Sequence, residues 1–302
     1  LALGRDQADL SDPVACVQRI RALSPSAVIN TAAYTAVDKA EEDEELATII
    51  NGDAPTAIAR VCAEMQIPLV HISTDYVFEG LGEVPWKPND TTAPQNAYGR
   101  SKLAGETGIL GSAATHVILR TSWVVSAHGA NFIKTMLRLS EARDTLSVVA
   151  DQIGGPTPAR DIASVCLMIA QHLQDDPTKS GTYHYSGTPS VSWADFASEI
   201  FAQAARSVNV IPIQTTDYPT PAKRPLNSRM DCRTTVSTFG VKQPDWRIGL
   251  SEILKEIDPS DVPEDLLKVV EKNIIIEEKV ELGKIKFDDK VLHRSKVIKI
   301  FT

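Results

Sequence analysis

Three largely apolar runs rich in β-branched residues, at positions 26–33, 68–73 and 115–125, constrain this chain more than anything else in it. Each is apolar at successive positions rather than at alternate ones, so a strand built from it must be covered on both faces. Stretches of helical character lie between and around them, at 14–23, 39–50, 55–65, from Tyr98 onward, at 131–143 and at 158–173. Strands that alternate with helices in this way form a parallel sheet with helices on both faces. The pattern predicts an α/β fold with a doubly wound sheet. It puts Ala32, Ala33 and Tyr34 at the carboxyl end of one strand and Thr74 at the end of the next, the edge where open sheets bind ligands.

Beyond this body the signals thin out. A short strand at 146–149, a strand at 182–186, a helix at 193–206, a strand at 208–213 and a helix at 246–257 suggest a smaller C-terminal domain. Leu1 to Arg5 reads as a strand end that runs into a turn and helix, so the expected fold lacks its first β-α unit, the strand and glycine-rich turn with which such sheets open. That leaves the strand ending near Leu3 and the strand at 26–33 without the neighbour that belongs between them. The segment 258–302 changes character: 19 of its 45 residues are charged, against 51 of the 257 before it, and it has no alanine. It reads as an atypical tail with a helix at 261–272 and strands at 274–276, 280–287 and 297–301, and one expectation is that residues 296–300 fill the gap in the sheet.

The net charge of −8 argues against a protein that grips nucleic acid. No apolar run is long enough for a membrane span. Cys16, Cys62, Cys166 and Cys232 are widely spaced, which suits reduced thiols in a cytoplasm rather than a disulfide frame. The histidines show no metal-ligand spacing, so no metal ligand is assigned.

Tyr98 and Lys102 stand four residues apart, one turn along the same helix face. A phenol keeps its proton at neutral pH, and a neighbouring ammonium favours the phenolate and makes proton exchange practicable. A hydroxyl from a strand end, Thr74, could hold a substrate oxygen against the phenol. Together these parts suit proton transfer to a carbonyl oxygen while a cofactor delivers hydride to its carbon. The same spacing also occurs on ordinary half-exposed helices, so the pair gains weight from the strand ends that converge on it.

Longer motifs sharpen this. Asn30 to Glu41, Ser73 to Gly80, Ala97 to Glu106, Arg120 to Val124, Asn131-Phe132, Asp151-Gln152 with Gly155 to Thr157, and Arg224-Pro225 with Asn227-Ser228 together resemble, in order and distance, the dTDP-4-dehydrorhamnose reductases. These are extended short-chain dehydrogenase/reductases with a Rossmann-like fold, and the resemblance runs from residue 1 to about 257. It implies NADPH- or NADH-dependent reduction of the C4 ketone of dTDP-4-dehydro-L-rhamnose to dTDP-L-rhamnose. By position, Tyr98 is the proton donor, Lys102 tunes it and holds the nicotinamide ribose, and Thr74 bonds the reacting oxygen. Asp9, Leu10, Ala32, Ala33, Tyr34 and Thr35 fall on cofactor positions, and Asp75, Trp123 and Val37 on substrate positions with Thr74. Asp9 reads equally well as a turn former, and Arg5 beside it suits a 2′-phosphate. Arg224 suits a diphosphate, or is an ordinary surface arginine. Residues 1–150, with a helix at 158–175 packed on them, become the dinucleotide-binding domain, 151–257 mainly the nucleotide-sugar domain, and 258–302 a tail without assigned chemistry. The resemblance also allows a magnesium ion and a homodimer. The alternative is a binding protein similar to the regulatory subunit of methionine adenosyltransferase, which shares this architecture without the reaction; a weaker one is a reductase or epimerase acting on another nucleotide sugar.

Overall fold

A computed structural model describes residues 1–257 and 297–300. Its centre is a six-stranded sheet in the order β1 (Ala2–Leu3), β13 (Val297–Ile300), β2 (Ala27–Asn30), β3 (Leu69–Thr74), β4 (His116–Thr121) and β9 (Gly181–His184). Every neighbouring pair in it is parallel. The continuous apolar character of the strands has the expected cause. One face packs Val28, Leu69 and Ile118 against Cys16 and Ile20 of α1 (Pro13–Leu23), Ile58 and Cys62 of α3 (Ala54–Glu64) and Ile109 of α4 (Ala97–Leu110). The other packs Ile29, Val70, Val117 and Leu119 against Ile162, Cys166 and Ile169 of α6 (Ala159–Asp175).

The gap left by the sequence reading is filled as it suggested. Residues of β13 pair with β1 through Lys299 opposite Ala2, and with β2 through Lys299 opposite Ile29, so neither ladder is left open there. The other tail elements, at 261–272, 274–276 and 280–287, and the end of the last strand at 301, lie outside the described residues.

Two expected elements are broken, each for a local reason. The helix expected over 39–50 is a single 3₁₀ turn at Lys39–Glu41, then α2 (Glu44–Thr48), then a widened π turn at Ile49–Asp53 that runs into α3. Pro55 has no N–H to give to the Asn51 carbonyl, so the ladder loosens there. The Asn51 side chain is occupied elsewhere, pairing with both the N–H and the carbonyl of Tyr34 at 2.8 and 3.0 Å and donating to the Ser101 hydroxyl at 2.9 Å. The run expected over 115–125 ends as β4 at Thr121. Trp123 takes a left-handed φ of 50°, and β5 (Val124–Val125) leaves to pair with β8 (Thr157–Pro158).

That turn leads into the second body. There β6 (Thr145–Val149) pairs with β11 (Asn209–Ile213), and α5 (Phe132–Leu139), α7 (Trp193–Gln203) and α9 (Trp246–Glu256) enclose a core of Phe132, Met136, Phe196, Trp246 and Leu250. A small sheet of β10 (Val191–Ser192), β7 (Ile153–Gly154) and β12 (Asn227–Ser228) ties its loops together. Helix α8 (Arg233–Phe239) was not expected, since only Thr235 and Phe239 of its seven residues are buried and no apolar stripe announces it. Among the described residues, no helix is long and apolar enough to cross a membrane.

Candidate active site

The cleft lies at the carboxyl ends of β2, β3 and β4, where α4 begins. Asn96 starts that helix by accepting from the Gly99 N–H at 2.8 Å, and Glu41 accepts from the Ala97 N–H at 2.8 Å, so two of the first free donors are satisfied. Gly99 is required by packing: a Cβ there would collide with the Tyr76 carbonyl. Gly105 and Gly108 in the same helix serve packing too, since a side chain at Gly105 would strike the Asn51 carbonyl and one at Gly108 the Thr56 hydroxyl.

Seated this way, α4 delivers Tyr98 and Lys102 to the cleft together with Thr74 of β3. The Tyr98 ring meets the Tyr76 ring edge-on, with centroids 5.4 Å apart. Lys102 is 2% exposed. Its Nζ donates to the Ile72 carbonyl at 2.6 Å and lies 3.3 Å from His71 Nε2, while His71 Nδ1 is 3.1 Å from the Asn30 amide. Burial pulls the Lys102 pKa down to about 8, with the Glu106 carboxylate one turn on opposing the shift. Burial and the Lys102 ammonium both hold His71 neutral. Thr74 accepts from the Tyr76 N–H at 3.2 Å and donates to Asp75 at 3.1 Å. Asp75 also accepts from the Ser228 hydroxyl, and burial pushes its carboxyl up to about 6 against those hydrogen bonds.

The Lys102 value has a consequence that can be measured. Catalysis that needs the ammonium weakens once the free enzyme loses that proton, so kcat/KM falls as pH rises through about 8. Stability moves the opposite way. The unfolded lysine, at about 10.4, holds its proton longer than the folded one, so the unfolded state binds more protons between the two values and stability rises with pH there. A kcat/KM profile flat to pH 10 would show that the ammonium is not needed.

Of the expected residues, Thr74, Tyr98, Lys102, Ala33, Thr35, Val37, Asp75, Trp123 and Arg224 all line this one cavity. Ala32, Tyr34, Asp9 and Leu10 do not. Ala32 and Leu10 are buried in the hydrophobic core beside α1, and Tyr34 packs against it with its N–H held by Asn51. Asp9 sits past β1, accepting from Ser11 and from Arg5 at 3.1 Å, and these contacts lower its pKa against a desolvation that would raise it. Arg224 is no free surface cation: it pairs with Asp38 at 2.6 Å and donates to the Tyr76 hydroxyl at 3.2 Å. Asp38 and Tyr76 went unassigned in the sequence, as did His71 and Asn30. A histidine inside an otherwise apolar strand was the available signal for His71, because a buried polar group needs a partner. Trp193 is also new: it stacks on Trp123 with ring centroids 3.5 Å apart, over Gly154, where any Cβ would lie 2.7 Å from the Trp123 ring.

The nicotinamide end of a dinucleotide fits these residues. Thr31, Ala33 and Thr35 leave the end of β2 low enough for close approach, and Lys102 supplies a buried cation beside it. No described strand at this edge is followed by a glycine-rich turn for a pyrophosphate. Among the described residues, no group of three or more His, Cys, Asp or Glu side chains is placed to hold a metal, so the magnesium allowed by the resemblance finds no site there.

A family model described as the RmlD substrate binding domain matches residues 1–258. The dTDP-4-dehydrorhamnose reductase of Sinorhizobium fredii is 43% identical over 252 residues, covering 82% of this chain and 85% of that protein. The dTDP-4-dehydrorhamnose reductase of Escherichia coli K12 is 40% identical over 257 residues, covering 82% and 85%. The crystal structure of dTDP-4-dehydrorhamnose reductase from Bacillus anthracis in complex with NADP superposes with a TM-score of 0.77 at 37% identity, over 83% of this chain and 88% of that one.

Proposed function

This chain belongs to the dTDP-4-dehydrorhamnose reductase family, and from that premise we propose that it reduces the C4 ketone of dTDP-4-dehydro-L-rhamnose to dTDP-L-rhamnose with NADPH or NADH. The observation that carries the reading is the convergence of Tyr98, Lys102 and Thr74 on one cavity that also holds Trp123, Asp75 and Arg224. Bound in this cleft, the nicotinamide supplies hydride to the ketone carbon.

The protein's own part is to meet the charge that then develops on the oxygen. Tyr98 gives that oxygen its proton. Lys102, pinned by the Ile72 carbonyl, favours the phenolate left behind and would hold the nicotinamide ribose of a bound cofactor. Thr74 bonds the reacting oxygen, and to do so its hydroxyl proton must be shared away from Asp75. Trp123 and Val37 shape the sugar site, and Arg224 receives the diphosphate in competition with Asp38. Residues 1–150 with the 158–175 helix carry the cofactor, and 151–257 mainly the nucleotide sugar; the enzyme works in the cytoplasm. A binding-only role like that of the methionine adenosyltransferase subunit gives no use to a buried lysine beside a cavity tyrosine.

The test is the loss of reduced-nicotinamide absorbance when the protein is mixed with NADPH and dTDP-4-dehydro-L-rhamnose. Turnover that yields dTDP-L-rhamnose is expected. Absence of turnover from a protein that binds both ligands would overturn the reading.

A further inference from the structure

His71 lies behind the cavity rather than in it. It is fully buried in β3 between the apolar Val70 and Ile72, and it does not line the cleft. It stands two positions after Leu69, on the sheet face that α4 covers. A buried imidazole there is costly without partners. It has two: Lys102 Nζ lies 3.3 Å from Nε2, and the Asn30 amide nitrogen lies 3.1 Å from Nδ1. Asn30 is fully buried too, directly opposite His71 in the ladder between β2 and β3.

These partners fix which ring nitrogen carries the hydrogen. Asn30 Oδ1 accepts from the Ala32 N–H at 3.2 Å, which turns the amide nitrogen toward the ring. Burial and Lys102 hold the ring neutral, so one nitrogen donates and the other accepts. Nδ1 accepts from Asn30, and Nε2 therefore points its N–H at Lys102. The lysine ammonium has three N–H groups to place. One goes to the Ile72 carbonyl at 2.6 Å, on the same strand as His71. The side that faces His71 meets a donor and makes no bond. The other two are left for the cavity, where Tyr98 and Thr74 stand.

We propose that His71, oriented by Asn30, is a positioning residue that aims the free N–H groups of Lys102 into the catalytic cavity. The inference rests on the reductase reading and deepens it with two residues that do not line the cleft. The same contact acts on the proton of Lys102. A donor facing the nitrogen favours the amine over the ammonium, so His71 adds to burial in pulling the lysine down. The carboxylates nearby favour the ammonium instead. Glu106 lies one turn on and pairs with Arg120 of β4, and Asp75 stands past the end of β3 in the cavity shared with Tyr98. Glu41 and Glu44, packed against the start of α4, are taken by the Ala97 N–H and by Arg100.

The test has two arms. Nitrogen NMR on protein with isotope-labelled histidine, assigned through the backbone, locates the hydrogen on the His71 ring of the parent protein. The pH profile of kcat/KM is then recorded for the parent, His71→Phe and His71→Gln. The hydrogen is expected on Nε2. In His71→Phe the falling limb moves up by about one pH unit as the facing donor is lost. Its kcat at neutral pH drops about tenfold as Lys102 loses its aim, with the KM of the sugar within about twofold of the parent. His71→Gln, whose amide nitrogen reaches the place of Nε2, keeps the parent limb. A hydrogen on Nδ1 overturns the proposal, and that arm needs no variant to fold. A limb that stays put or moves down in His71→Phe overturns it as well, by leaving His71 a packing role alone, and the reductase reading survives either result. A parent protein that binds NADPH and the sugar without turnover overturns the reductase reading, and the role of His71 with it.

Discussion

Tyr98→Phe lowers kcat by about a thousandfold and leaves the dissociation constant of NADPH within about twofold of the parent value. The size follows from the role, since a positioned general acid is worth on the order of 10² to 10⁴ in rate. On the proposed mechanism the phenol gives the proton, since Lys102 is pinned by the Ile72 carbonyl and the Thr74 proton goes to Asp75. Cofactor affinity survives because phenylalanine keeps the ring that meets Tyr76 edge-on, and Lys102 does not move with it. Lys102→Met separates the two functions. On the proposed roles of Lys102, which favours the phenolate and holds the ribose, losing this buried cation should lower kcat and weaken NADPH binding together. Single-turnover rates with dissociation constants for both variants decide the matter. A Tyr98→Phe protein that keeps a tenth of the parent kcat would place the proton donor elsewhere.

Much of this was legible in the chain because the fold writes itself in period. Strands 26–33, 68–73 and 115–125 are apolar at successive positions only because helices cover both faces, and the structure shows α1, α3 and α4 on one side with α6 on the other. Parallel strands in sequence then had to end at one edge, which brought Ala33, Thr74 and the start of α4 together before any coordinates. What stayed hidden depends on contacts distant in sequence. Asp38 and Arg224 are 186 positions apart, and nothing local to either forecasts their ion pair. The π turn at Ile49–Asp53 arises from Pro55 and from an Asn51 side chain drawn to Tyr34, so helical periodicity could only suggest an unbroken helix. Leu10 is a position where motif and packing speak to different things. Position in a family motif marked it for the cofactor, whereas its 2% exposure places it in the core under α1. The strand at 297–301 was read from its own residues, while its place in the sheet as β13 was inferred from an unfilled ladder, so backbone accounting was the guide to position there.

The largest effect on stability should come from a pair that no ligand touches. Glu106, one turn beyond Lys102 on α4, is 1% exposed and binds the Arg120 guanidinium through both oxygens, at 2.9 and 2.6 Å, while accepting from the Ser73 hydroxyl at 2.5 Å. Arg120 in turn donates to the Pro88 carbonyl at 3.0 Å and lies 4.9 Å over the Phe78 ring. One ion pair therefore fastens α4 to the ends of β3 and β4 and holds the loop that follows Gly82. Such a pair adds little over a well-packed apolar replacement, because desolvating both ions nearly cancels their attraction. Removing one member is different, since it strands a buried charge at a cost of about 3–5 kcal/mol. Arg120→Met, which keeps most of the stem, should therefore lower Tm by roughly 8 °C in a protein of this size. Arg120→Met/Glu106→Leu removes both charges and should recover most of that loss. Because the same pair seats α4, the single variant should lose kcat as Tyr98 drifts from Thr74, and the double variant should regain stability before it regains full rate. Calorimetry on the three proteins tests this, and a double variant no more stable than the single one would show that the pair's hydrogen bonds, rather than its stranded charge, set the cost.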